Sequence, residues 1–154
     1  MSRRGQIVLS DDELAAFLDE QRVLTCATLG RDGWPHLMPL WYTVRDGTVW
    51  AWTYGKSQKV VNLRRDPRCT LQIEAGDSYD QLRGVMFKAE ARIHDDLDTV
   101  AEFGIELAER YGGGGGLPAD AREALRRQAA KRVALEFVER GRATWDHRKL
   151  GGRY

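Results

Sequence analysis

The feature that most constrains this chain is a series of three β-rich segments tied by very short links. Residues 23–29, 35–45 and 48–54 are joined by Gly30-Arg31-Asp32-Gly33 and by Asp46-Gly47. Both links carry the composition of hairpin turns, so the three segments should lie side by side and antiparallel. In the third, Val49, Ala51 and Thr53 share one face and Trp50, Trp52 and Tyr54 the other. The remaining segments extend the pattern. Residues 68–75 put Cys69, Leu71 and Ile73 on one face, residues 81–94 alternate from Val85 to Ile93, and a last strand carries Val133, Leu135 and Phe137. About six strands suffice to curl into a small barrel that shields its edges.

Helices flank this framework. Ser10 and Glu13 form a capping box, Leu9 and Leu14 stand at staple positions, and Leu14, Phe17 and Leu18 give the stripe of a helix over 10–20. A short helix should run from Ser57 to about Arg65, because the residue before Pro67 avoids the helical region. A helical insertion is expected over about 96–131. It would open at Asp96 with the stripe Leu97, Val100, Gly104, Leu107 and Ala108, break at Gly112–Gly116, and restart at Pro118. The 154 residues fit one mainly-β domain spanning 1–154, antiparallel, with flanking helices.

Composition excludes several functions. Lys and Arg number 24 against 23 acidic residues, so there is no general attraction to nucleic acid. No run approaches the ~20 apolar residues of a membrane span. The basic start, Met1 to Gln6, is followed only by Ile7-Val8-Leu9, too short for a signal peptide, so a cytoplasmic address is expected. Cys26 and Cys69 lie outside any CxxC pair and read as buried thiols; His36, His94 and His147 lack metal spacing, and no metal is expected. The glycine run has no GK[ST] ending, and Gly55-Lys56-Ser57 lacks the earlier glycine of a phosphate loop.

The segment with chemistry is Thr53-Tyr54-Gly55-Lys56-Ser57-Gln58-Lys59. A strand ends, a glycine turns the chain, and a helix begins, which exposes free amides suited to phosphate. Ser57 adds a hydroxyl, and Lys56 and Lys59 add charge. Between 56 and 68 stand Lys56, Lys59, Arg64, Arg65 and Arg68 against Asp66 alone; from 131 to 154, seven basic residues face three acidic ones. Two basic segments in a near-neutral chain suggest an anionic ligand, although solvated faces would also account for the charge.

Here the sequence resembles a known family. Thr53, Ser57 and Lys59 match in place the phosphate motif Thr-Asn-Tyr-x-Ser-Arg-Lys of the pyridoxamine 5′-phosphate oxidase-like split-barrel superfamily, with Gln58 replacing its arginine. The stretches 32–41, 59–68 and 145–152 resemble the branch that uses the deazaflavin coenzyme F420, the flavin/deazaflavin oxidoreductases. The resemblance covers the chain from about Asp11 onward and is weakest in the helical insertion. It implies a split β-barrel and a homodimer with cofactor at the subunit interface. It also implies hydride transfer between F420 and a small conjugated organic substrate, with FMN as the alternative cofactor. By position, Lys56, Ser57 and Lys59 would hold the cofactor phosphate, supported by Thr53 and Gln58. Met38, Pro39, Leu40 and Trp41 would line the ring system, and Trp145, His147 and Arg148 would complete the groove from the second subunit. The tryptophan-rich faces (Trp34, Trp41, Trp50 and Trp52) would serve as a partner surface, a stacking floor or plain core. The proton donor stays open between Tyr42, Tyr54, His147 and solvent. An FMN-dependent oxidase or reductase, or a non-catalytic flavin- or haem-binding barrel, are the alternative functions. Gln58 cannot supply the bidentate charge of arginine, and the tail departs from that of vitamin oxidases.

Overall fold

The computed structural model describes residues 3–152; Met1 and Ser2 of the basic start, and Arg153 of the second basic segment, lie outside them. Six antiparallel strands close a barrel: β1 (Val23–Leu29), β2 (Pro35–Arg45), β3 (Thr48–Tyr54), β4 (Arg68–Ala75), β5 (Arg83–His94) and β6 (Arg132–Asp146). Their order around it is β1-β2-β3-β6-β5-β4. The alternation seen in the sequence becomes inside and outside. Leu24, Cys26, Ala51, Leu71, Ile73 and Leu135 are buried within the barrel. The β2–β3 turn takes positive φ at both central residues, Asp46 (48°) and Gly47 (76°), the geometry a two-residue hairpin needs.

The barrel is split. Residues Tyr42 to Arg45 of β2 pair with Thr48 to Ala51 of β3. Beyond Tyr42↔Ala51 the strands part: residues 35–41 pair with β1, and residues 52–54 pair with β6. The helix α1 (Asp11–Glu20), with its capping box in place, adds Leu14, Phe17 and Leu18 to the barrel core. The helix α2 (Gln58–Arg65) follows β3, buries Val60, Asn62 and Leu63, and ties to β1 where Asn62 Nδ2 donates to Thr28 Oγ1 (3.0 Å).

The insertion forms α3 (Leu97–Tyr111) and α4 (Ala119–Ala129). It corrects one expectation and decides between the alternatives of another. Leu97 is half exposed, and Phe103 takes its place in the buried stripe beside Val100, Gly104 and Leu107. Of the readings open for the tryptophan-rich faces, Trp50 and Trp52 follow plain core, because α3 covers that face of β3. The Trp50 ring meets Phe103 at 5.7 Å, and Trp52 packs over Gly104 so closely that a Cβ there would lie 2.8 Å from the indole. β6 is also longer than the sequence suggests, taking in Thr144 to Asp146. Among the described residues, no helix is long and apolar enough to cross a membrane.

Candidate functional site

Residues 53–59, the segment singled out in the sequence, lie where β3 ends and α2 begins, on the stretch of β3 no longer paired with β2. β3 ends at Tyr54, Ser57 caps α2, and the first turn of α2 carries Lys59. The Ser57 side chain makes no capping bond, and its Oγ is buried without a hydrogen-bond partner among the described residues. A buried hydroxyl left unpaired costs roughly 1–3 kcal/mol. Lys59 is buried (7% exposed), and its Nζ donates to Thr53 Oγ1 at 3.2 Å. Burial pulls its pKa below the ordinary lysine value, and the neighbouring Cys26 thiol opposes this. One hydroxyl satisfies one of three ammonium donors. Deeper in, Cys26 and Cys69 are free buried thiols, and Cys69 donates to the Ala89 carbonyl oxygen (3.7 Å).

The two basic segments resolve into paired and unpaired cations. Arg68 is held by Asp66, Arg140 by Glu90, Arg142 by Glu139 and Asp11, Arg148 by Asp146 and Lys149 by Glu13. Arg64 faces Asp95 at 3.8 Å, and Arg65 donates to the Leu29 carbonyl oxygen. Among the described residues, Lys56, Lys131 and Arg132 have no carboxylate partner. All three sit at one corner, because Tyr54 pairs with Arg132 and the Gly55 N–H donates to the Lys131 carbonyl oxygen (3.0 Å). The Arg132 guanidinium lies over the rings of Tyr54 (4.2 Å) and Trp52 (4.4 Å), and its Nε is buried without a partner. The sequence offered Arg132 only as one charge among seven. Its position opposite Tyr54 depends on the β3–β6 pairing, which no local pattern reports.

A cleft of about 530 Å³ opens beside α2, lined by Gln58, Asn62, His36, Trp34 and the β1–β2 turn. The Gln58 amide donates to Asn62 Oδ1 (2.9 Å). The β2 residues Met38, Pro39, Leu40 and Trp41 divide between two faces. Met38 and Leu40 stand opposite Cys26 and Leu24, with Leu40 buried in the core and Met38 at the rim (42% exposed). Pro39 and Trp41 stand on the outer face, with Trp41 56% exposed. Of the proton-donor candidates, Tyr42 is fully buried. Its hydroxyl donates to the Leu18 carbonyl oxygen (2.7 Å), and burial drives its pKa well above the ordinary phenol value. Tyr42 is therefore a core residue. Tyr54 is exposed at the opening.

The C-terminal trio lies elsewhere. β6 starts at Arg132 beside the opening and ends at Asp146, and a strand of 15 residues is roughly 45–50 Å long. At that far end Trp145 packs on Gly84, where a Cβ would come within 2.5 Å of the indole. The His147 N–H donates to the Leu82 carbonyl oxygen (2.9 Å), and its Nδ1 lies 2.9 Å from the Tyr79 carbonyl oxygen. Arg148 pairs with buried Asp146. Within one chain, the trio does not reach Ser57.

Comparison with known proteins fits this geometry. The sequence profile of the pyridoxamine 5′-phosphate oxidase family matches residues 10–141. The F420H(2)-dependent biliverdin reductase of Mycobacterium tuberculosis is 33% identical over 105 residues, which cover 67% of this chain and 72% of that one. The crystal structure of the conserved hypothetical protein Rv2991 from Mycobacterium tuberculosis shares 42% identity and superposes with a TM-score of 0.89 over 100% of this chain and 95% of its own. An F420 reductase with 21% identity has a TM-score of 0.64 over 83% of this chain and 94% of its own, a likeness of fold.

Proposed function

The chain belongs to the pyridoxamine 5′-phosphate oxidase family, and from that premise we propose that it is a cytoplasmic oxidoreductase transferring a hydride between the deazaflavin coenzyme F420 and a small conjugated organic molecule. The observation that carries this reading is the pair at the start of α2: among the described residues, a buried Ser57 hydroxyl has no partner and the buried Lys59 ammonium is held by Thr53 alone. Both are costly in the protein by itself and are relieved by an anionic oxygen. The residues present thus fit a cofactor that carries a phosphate group. Ser57, Lys59 and Lys56 hold that phosphate, and Thr53 fixes the lysine. Lys56, Lys131 and Arg132 offer the broad basic surface that a carboxylate-bearing tail requires. Gln58, turned onto Asn62, carries no charge to the phosphate, which fits a cofactor relying on more than one anionic group.

When bound, the reduced deazaflavin supplies the hydride. The chain supplies orientation, which in well-aligned cases lowers a barrier by roughly 7–11 kcal/mol. The name of the mycobacterial relative favours F420 over FMN and a conjugated acceptor. A second copy of the chain would complete the site. β1 and β2 expose Val23, Leu29, Leu37 and Trp41, an apolar face of the kind subunits cover. That copy would bring its tail trio to the opening.

Titration of the purified protein with F420 and with FMN tests the cofactor, and reduced cofactor offered with enones, quinones and tetrapyrroles tests turnover. Tight F420 binding and oxidation of the reduced form are expected. Binding of FMN alone reverses the cofactor assignment, and binding without turnover on any acceptor points to a storage or sensing protein.

A further inference from the structure

The β1–β2 turn and α2 enclose the cleft of about 530 Å³, and His36 forms one of its walls beside Gln58. His36, Met38 and Leu40 stand opposite Thr28, Cys26 and Leu24, the buried positions of β1. The imidazole therefore sits on the inner side of β2, two residues before Met38. Among the described residues its Nδ1 is buried without a partner, and no hydrogen bond engages its Nε2. Since Nδ1 is shut off from solvent, the ring meets the cleft with its Nε2 edge. The backbone behind it is tied to α2. Gln58 Nε2 donates to Asn62 Oδ1 (2.9 Å), Asn62 Nδ2 to Thr28 Oγ1 (3.0 Å), and the Thr28 hydroxyl to the His36 carbonyl oxygen (3.5 Å). The facing wall is fixed as well. The Gly30 N–H donates to the Trp34 carbonyl oxygen (2.9 Å) and the Trp34 N–H to Asp32 Oδ1 (3.1 Å), and a Cβ at Gly30 would lie 2.6 Å from each of those oxygens. Trp34 is 76% exposed there.

A neutral imidazole has one N–H and one bare nitrogen. A buried N–H without an acceptor is the rarer kind of orphan, so the hydrogen belongs on Nε2, where it faces the cleft. Arg31 and the indole N–H of Trp34 add donors at the rim, whereas the Asp32 carboxylate is turned to its own loop. Preformed walls that offer donors call for an acceptor oxygen. Met38 stands roughly 6.5–7 Å further along the same face of β2, so a molecule of two fused rings with an oxygen on His36 extends back along β2 toward the hydride donor. We propose that His36 donates from Nε2 to the carbonyl oxygen of the acceptor and so makes uncharged, unsaturated carbonyl compounds the substrate class of this site. A site built to hydrogen-bond a substrate group rejects the analogue that lacks it. The inference rests on the oxidoreductase reading, and it gives a part to a histidine that the motifs left without one.

The test uses coumarin, a planar unsaturated carbonyl compound with no phosphate, and naphthalene, which has a similar shape without the oxygens. Both are titrated by saturation-transfer NMR into the full-length protein and its His36→Phe and His36→Gln variants, with thermal unfolding in parallel. The wild type prefers coumarin. His36→Phe keeps a flat ring and loses the N–H, so Tm holds or rises, coumarin affinity falls about two- to tenfold and naphthalene binding is unchanged. His36→Gln still carries a donor, retains part of the preference and keeps the test readable if His36→Phe does not fold. Nitrogen NMR of isotope-labelled histidine, assigned with the same variants in mildly alkaline solution, shows the His36 hydrogen on Nε2 and a shift there on adding coumarin. Equal coumarin affinity in wild type and His36→Phe overturns the proposal, and so does a hydrogen on Nδ1. Oxidised F420 should leave coumarin bound; displacement overturns the proposal, because the cleft would then belong to the cofactor. If F420 fails to bind while the coumarin series behaves as expected, the deazaflavin reading falls and the carbonyl site stands. If F420 binds and the coumarin preference is absent, the deazaflavin reading stands and the carbonyl site falls.

Discussion

The Lys59 ammonium lies 3.2 Å from the Thr53 hydroxyl, and both residues are buried where β2 and β3 part company. A charge in that position is poorly solvated and poorly paired until an anion arrives. Stability and binding should therefore respond to it in opposite directions.

Lys59→Met keeps most of the stem and removes the charge. Replacing a poorly compensated buried ion with an apolar side chain of similar volume is often neutral or stabilising, so Tm should hold or rise. Affinity for the cofactor phosphate should fall by ~1.5–3 kcal/mol, the worth of a charge-assisted hydrogen bond. Thermal unfolding and calorimetric titration on the same sample check both signs.

The pH dependence follows from the same residue. Burial lowers the folded-state pKa of Lys59 below its ordinary 10.5. Between the lowered value and 10.5 the unfolded chain binds the extra proton, so this residue's contribution to stability rises with pH across that window. Anion affinity runs the other way and declines as pH climbs through the lowered pKa. Phosphate titrations from neutral pH upward should show that decline in the wild type and lose it in Lys59→Met.

Gly104→Ala places a methyl group 2.8 Å from Trp52. Overpacking of this kind costs about 1–3 kcal/mol. Denaturant unfolding should show the loss, and Trp52→Leu in the same chain should recover part of it.

Asp146 is buried and accepts from the Arg148 side chain (2.6 and 2.9 Å) and backbone N–H (3.1 Å). The Arg148 guanidinium, against the cost of burial, holds its carboxyl below its ordinary 3.8. A depressed carboxylate contributes stability that is present above 3.8 and lost as pH falls through the lowered value. Asp146→Asn should remove that acid-side slope and cost about 1–3 kcal/mol at neutral pH, read from unfolding curves between pH 7 and the acid limit of folding.

Much of this architecture was legible in the residues themselves. β2 and β3 follow from alternation and the Asp46-Gly47 turn, and α1 from its capping box, because these signals are local. The face of β3 that carries Trp50 and Trp52 was not legible. Alternation places both tryptophans on one side but cannot tell solvent from a helix that arrives some 50 residues later. The site divides the same way. Ser57 and Lys59 stand out by their place after β3, whereas Arg132 becomes a neighbour only through β3–β6 pairing. Tyr42 looked like a proton donor because its bond to the Leu18 carbonyl is a tertiary contact.

The most direct test of the central claim is the F420 affinity of Ser57→Ala against wild type, measured by titration at matched folded fraction. Since the Ser57 hydroxyl is buried and unpartnered, its loss should leave Tm unchanged or slightly higher while affinity falls about two- to tenfold, the range of one hydrogen bond. Equal F420 affinity in the two proteins would contradict the claim that this corner grips the anionic end of the cofactor.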